Sequence, residues 1–258
     1  MTRLILGVAA ALLLTAGQAA ADGMPTRGKT KAAEPDGRPC TVSANVGLST
    51  DYVFRGISKT FEDPAVQGGF DLTCGRFYAG VAASNVDFGA VSPFDTVANI
   101  EVSIYGGFKA NTGPVAWDLG VIYYTYPGDN FFVDLNFVEL KVAASGEVWK
   151  GGTLGATVFF SPEYIFETGE VLTVEGTFAQ VLPNVGMFTP TFSATIGRSE
   201  FQDFDFLSYT YWNVGLTLGF HERWSVDLRY WDTDGEGAAL LLSPLSDERF
   251  VGSLKYRF

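Results

Sequence analysis

The residues able to do chemistry in this 258-residue chain are few. Its one histidine, His221, is followed by Glu222, but Ser225 stands where a His-Glu-x-x-His zinc motif would place its second histidine. Hydrolysis by an activated serine needs a histidine within a nucleophile pattern, and none surrounds His221, so the reading is of a non-enzyme. Asp232, Asp234 and Glu236, with Gly237, match the opening of a calcium loop. Its twelfth position is Ser243 instead of Glu, and no helices flank it, so a solvated acidic loop is the plainer reading. Cys40 and Cys74 are the only cysteines. Two thiols without a nearby histidine make a poor metal site, which leaves a structural disulfide. No cofactor and no metal are expected.

The other reactive groups are charges, and they recur with period two. At the end of the chain Phe250, Gly252, Leu254, Tyr256 and Phe258 share one face, while Val251, Ser253, Lys255 and Arg257 share the other. Such a strand suits a wall with lipid on one side and water on the other. It resembles the last strand of bacterial outer-membrane barrels, whose final aromatic residue is read by the assembly machinery. That resemblance makes Tyr256 and Phe258 the candidate assembly signal.

The same alternation runs from Val42 onward, in segments near 42–49, 66–73, 76–87, 96–110, 113–126, 132–145, 151–162, 170–182, 186–198, 207–220, 223–232 and 249–258. Within 132–145, Asp134 and Asn136 share parity with Val138 and Leu140, which predicts a bulge there. The whole reads as an all-β, up-and-down antiparallel transmembrane β-barrel of about twelve strands spanning 40–258. Short turns near Gly75, Asn111, Asn184 and His221 fall on the side of both chain ends, with a longer one expected at Gly146–Lys150; most of the longer loops fall opposite. In a soluble barrel the inner face would be apolar. Here the inner face carries Ser, Thr, Gly and charge, so it should line water. Tyr52, Phe54, Tyr126, Phe160 and Tyr230 are expected in an outer aromatic belt, and Phe220, Trp224, Tyr256 and Phe258 in a periplasmic one.

Gross composition agrees. Hydrophobic residues are 47%, charged residues only 18%, and net charge is −12. No apolar run of about 18 residues follows the N-terminus, which excludes a helical membrane protein. An acidic chain without a basic patch excludes nucleic acid as a partner. Residues 1–21 read as a secretory signal peptide, with Arg3, an apolar stretch from Leu4 to Leu14, and Ala19-Ala20-Ala21 at the cleavage site. Residues 22–39 read as a flexible periplasmic segment. The expected location is the outer membrane of a Gram-negative bacterium, with outer-membrane lipid, lipopolysaccharide and the assembly machinery as partners.

Between Ser49 and Asp71 the chain reads Asp51-Tyr52-Val53-Phe54-Arg55-Gly56-Ile57-Ser58, then Asp63-Pro64-Ala65-Val66-Gln67-Gly68-Gly69-Phe70-Asp71. These two runs resemble the opening hairpin of the TorF family of proteobacterial outer-membrane porins, which implies an outer-membrane barrel. Taken from the residues themselves, Asp51 and Arg55 should point inward near the outer mouth, close to Asp71 and Gln67. They would either brace the wall or contact solute. Gly56, Gly68 and Gly69 should serve a bend. Cys40 and Cys74 bracket this hairpin at equal distance from its apex, so a disulfide at the periplasmic rim would tie the first strand to the second.

Parity places Asp71, Glu101, Asp118, Glu139, Lys141, Glu175, Asp227, Arg229, Lys255 and Arg257 in the lumen with Asp51 and Arg55. Two arrangements fit: a basic wall facing an acidic one, or mutual neutralisation in pairs. The expected function is passive diffusion of small polar solutes or ions through a porin-like pore. The alternative is a closed barrel acting through its acidic outer loops, such as those holding Asp129, Glu163 and Asp203. Gly47, Gly69, Gly120, Gly155, Gly215 and Ser253 favour an open lumen; Tyr124 and Phe159 favour a closed one.

Overall fold

The computed structural model describes residues 40–88, 90–92, 95–129, 134–234 and 245–258. The expected signal peptide, the 22–39 segment, and the Glu236 and Ser243 positions of the calcium-like run lie outside the described residues. Twelve antiparallel strands close into a barrel. They are β1 (Thr41–Ser49), β2 (Ala65–Cys74), β3 (Phe77–Asn85), β4 (Ile100–Thr112), β5 (Val115–Thr125) and β6 (Phe137–Trp149). After these come β7 (Gly152–Ser161), β8 (Val171–Val181), β9 (Thr189–Phe201), β10 (Tyr209–Phe220), β11 (Trp224–Thr233) and β12 (Arg249–Arg257). Each strand pairs with its sequence neighbours, and β12 returns to β1 with Asn45 opposite Arg257 and Ser49 opposite Ser253. Closure leaves no unpaired edge, so every wall strand is bonded on both sides.

Burial runs opposite to that of a soluble domain. Val42 is 74% exposed, Phe70 63% and Phe250 70%, whereas Glu101, Glu139 and Glu175 are at most 2% exposed. The apolar exterior needs an apolar solvent, and the inward parity collects the ionisable groups. No helix is long and apolar enough to cross a membrane among the described residues. At the end carrying Cys40 and Phe258, Trp224, Tyr256 and Phe258 pack in series, with ring centroids 4.7 and 4.9 Å apart.

Three local expectations are corrected. Strand β6 begins only at Phe137, so Asp134 and Asn136 precede it, and its register irregularity falls between Glu147 and Trp149. With β6 continuing to Trp149, the turn near 146–150 is a tight one at Lys150-Gly151. Tyr52, Phe54 and Tyr126 are not in an outer belt. Tyr52 and Tyr126 are fully buried inside the barrel, and Phe54 packs against them.

Cys40 and Cys74 form a disulfide just below the first strand pair, where Thr41 faces Thr73. The bridge closes 34 residues of chain containing the whole first hairpin. On the chain-entropy model a loop of this length contributes about 4 kcal/mol, through the unfolded state. Replacing both cysteines with serine should therefore lower the urea midpoint of the refolded barrel. Thiol titration of denatured, unreduced protein should find no free thiol.

Candidate functional site in the lumen

Past Ser49 the chain leaves the wall and turns inward. Val53–Phe54 and Ile57–Ser58 form a two-stranded ribbon, joined by Arg55 and Gly56 with φ of 52° and 83°. Two consecutive positive φ values give a tight hairpin, which explains why glycine follows Arg55. A β-carbon at Gly56 would lie 2.6 Å from Thr233 Cγ2 and 3.0 Å from Tyr211 Cβ, so the ribbon tip rests directly on the β10–β11 wall.

The segment 50–64 is a plug held by ion pairs. Arg55 donates to both Glu139 oxygens, at 2.7 and 3.1 Å, and its guanidinium lies 4.7 Å from the Phe54 and Phe159 ring centroids. Lys59 donates to Glu101 at 2.5 Å, and the Tyr52 and Tyr126 hydroxyls donate to the same carboxylate. Asp51 accepts from Ser58, Thr60 and Arg249. Burial lowers the Lys59 ammonium from its usual range against the opposing pull of Glu101. Burial also opposes charge on Arg55, but Glu139 outweighs it and holds the guanidinium firmly protonated. Around the plug, Tyr124, Phe137, Tyr164, Phe201 and Tyr209 make one buried cluster with Tyr52. The Tyr124 and Phe137 rings stack at 4.4 Å. The half of the barrel nearer the long loops is therefore a packed core.

Asp71, Glu101, Asp118, Glu139, Lys141, Glu175 and Arg229 are buried, and Asp227, Lys255 and Arg257 are half-buried, but partners differ from expectation. Asp71 lies opposite Ser43 at the short-turn end, far from Arg55, and accepts from the Tyr105 hydroxyl at 2.5 Å. Arg55 crosses the lumen to Glu139 instead, because the strand ends before it and parity no longer sets its height. Asp118 pairs with Lys141 at 2.9 Å and accepts from Tyr78. Glu175 accepts from Tyr211. Arg229 binds Asp227, Asn213 and Ser193. Lys255 and Arg257 stand on β12 within electrostatic reach of Asp71. These contacts are local pairs on both sides of the lumen, not a basic wall facing an acidic one. His221 occupies an exposed turn.

Lys59 was not marked by its sequence position, although it ties the plug to β4. Its signal is faint: a lone lysine in an otherwise acidic loop. Glycines also behave differently from the expectation of open space. Gly80 faces Tyr105 in register, Gly107 faces Tyr78, Gly197 faces Tyr211 and Gly215 faces Arg229. A side chain at any of these glycines would strike that neighbour, so they seat large inward groups. Gly120 lies under the Tyr78 hydroxyl, and a β-carbon at Gly155 would meet Thr177 at 2.6 Å. Gly47 and Gly69 have no such large occupant, and they lie on β1 and β2.

There, beneath the plug, a cavity of about 650 Å³ counting its open part runs along β1–β4 and β10–β12. Tyr52 and Glu101 form its upper end. Asn45, Gln67, Ser84, Ser103, Thr217, Ser225, Asp227, Ser253 and Lys255 also line it.

A family model described as "Bacterial protein of unknown function (Gcw_chp)" matches residues 32–257. Among solved structures the chain is similar to the KdgM porin, with TM-score 0.55 and 7% identity over 84% of this chain and 99% of that one. It is similar to "KdgM porin in complex with disordered oligogalacturonate" with TM-score 0.54, 7% identity, and 84% and 98% coverage. The NanC porin has TM-score 0.49 and 10% identity, with 84% and 98% coverage. At these identities the likeness speaks for the fold. No curated protein matches the chain.

Proposed function

The chain belongs to the Gcw_chp family, and we propose that it is a porin-like channel of the Gram-negative outer membrane, passing small polar solutes or ions by diffusion. The observation that carries this is the polar cavity along one wall of a barrel whose exterior is apolar, ending beneath the docked 50–64 loop. The long-loop end is outward and the chain termini are periplasmic in this reading, so the plug closes the cell-surface half. Conduction then requires the plug to move aside, with sieving by the cavity's side chains and no energy coupling. Support also comes from the 49–71 segment, whose likeness to the TorF porins covers the plug and β2. Assembly would follow recognition of Tyr256 and Phe258, and the acidic outer loops would face lipopolysaccharide. The chain has no catalytic role in this reading.

The packed outer half favours a second reading, a closed barrel acting through its acidic loops. Osmotic swelling of proteoliposomes separates the two. Faster swelling in small polar solutes than in protein-free vesicles is the expected result. Swelling equal to protein-free vesicles, with folded insertion verified, would favour the closed barrel.

A further inference from the structure

The cavity beneath the plug carries a chemical preference. Asn45, Gln67, Ser103, Ser225 and Ser253 line it, and their side chains make no hydrogen bond to another described residue. Ser103 is 97% buried, and its hydroxyl has no hydrogen-bond partner among the described residues. The charged groups beside them are already engaged: Glu101 by Lys59, Tyr52 and Tyr126, Asp227 by Arg229 and Thr217, and Lys255 by its electrostatic interaction with Asp71. A wall with spent charges and unspent amides and hydroxyls gives an entering ion little compensation for the water it sheds. It gives a solute bearing many hydroxyls a donor or acceptor for each one, in exchange for displaced water.

We propose that this cavity is a binding site for a small, uncharged polyhydroxylated solute. Asn45 and Gln67 act as the amide contacts, on adjacent strands. Ser103 and Ser253 contact the solute from β4 and β12, and the Tyr52 ring is the roof. Docking of the plug's Lys59 and Tyr52 on Glu101 closes the top of the site. The inference rests on the channel reading for its place in transport, but binding itself does not need conduction.

Saturation-transfer NMR on the full, refolded protein in detergent micelles tests it, with sorbitol as the uncharged probe, gluconate as a matched anion and glucosamine as a matched cation. Sorbitol should show saturation transfer, and both charged probes should bind more weakly. Asn45→Leu combined with Gln67→Leu should weaken sorbitol by about tenfold or more, the cost of two hydrogen-bonding groups. Should that pair disturb folding, Gln67→Glu keeps the volume and adds a charge, and it too should weaken sorbitol. No transfer to sorbitol, equal or stronger binding of gluconate or glucosamine, or sorbitol binding unchanged in a folded variant would each overturn the site. Vesicles impermeable to solute, with sorbitol binding intact, would overturn the channel reading alone.

Discussion

Arg55→Ala should release the plug. The substitution leaves the Glu139 carboxylate 99% buried without its guanidinium, with only the Tyr124 hydroxyl at 3.3 Å among its remaining hydrogen bonds. Breaking a buried pair in this way costs roughly 3–5 kcal/mol. The opening equilibrium of the loop should therefore rise by a factor on the order of 10²–10³. Limited proteolysis of the inserted protein from the long-loop side should cut between 50 and 64 in the variant and leave the parent intact. Arg55→Leu combined with Glu139→Leu should restore protection, since an apolar pair of similar volume removes both charges together. Equal protection of parent and Arg55→Ala would mean that the pair does not hold the loop.

Gly56→Val should open the same loop through the backbone. Valine at φ of 83° is strained by roughly 1–3 kcal/mol. Its β-carbon would also meet Thr233 Cγ2 at 2.6 Å, an overpacking that costs a similar amount. Gly75→Ala is the comparator, because Gly75 has φ of 62° but nothing within 4 Å of an added β-carbon. The first variant should expose the loop to protease, and the second should only slightly shift the denaturation midpoint. Matching behaviour would show that the tip contact with the wall is immaterial.

The wall was legible in the sequence because most of its strands alternate in period two. Phe250, Leu254 and Tyr256 against Ser253, Lys255 and Arg257 state which face meets lipid before any partner strand is known. The plug was not legible in the same way. Parity from Ser49 put Asp51 and Arg55 inward, but a chain that has left the sheet can cross the lumen. Arg55 therefore reached Glu139, 84 residues on, instead of a neighbour on the hairpin. The glycines were misread for a related reason. Whether Gly120 or Gly215 is empty space depends on which side chains reach it from neighbouring strands, and that is a property of more than one strand. Tyr78 over Gly120 and Arg229 over Gly215 fill what one strand alone presents as a gap. The polar cavity survives where Gly47 meets Gln67 and Lys255, with small residues nearby and no aromatic ring laid across them.

The central claim is that the 50–64 loop closes a polar passage through the barrel. Single-channel recording in planar bilayers tests it most directly, comparing the parent with a variant in which residues 51–63 are replaced by a short Gly-Ser turn. The parent should be closed for most of the record with brief openings, and the shortened variant should show sustained steps of uniform size. Equal conductance in the two would place any passage elsewhere, and silence from a folded, inserted shortened variant would mean that the lumen is sealed without its plug.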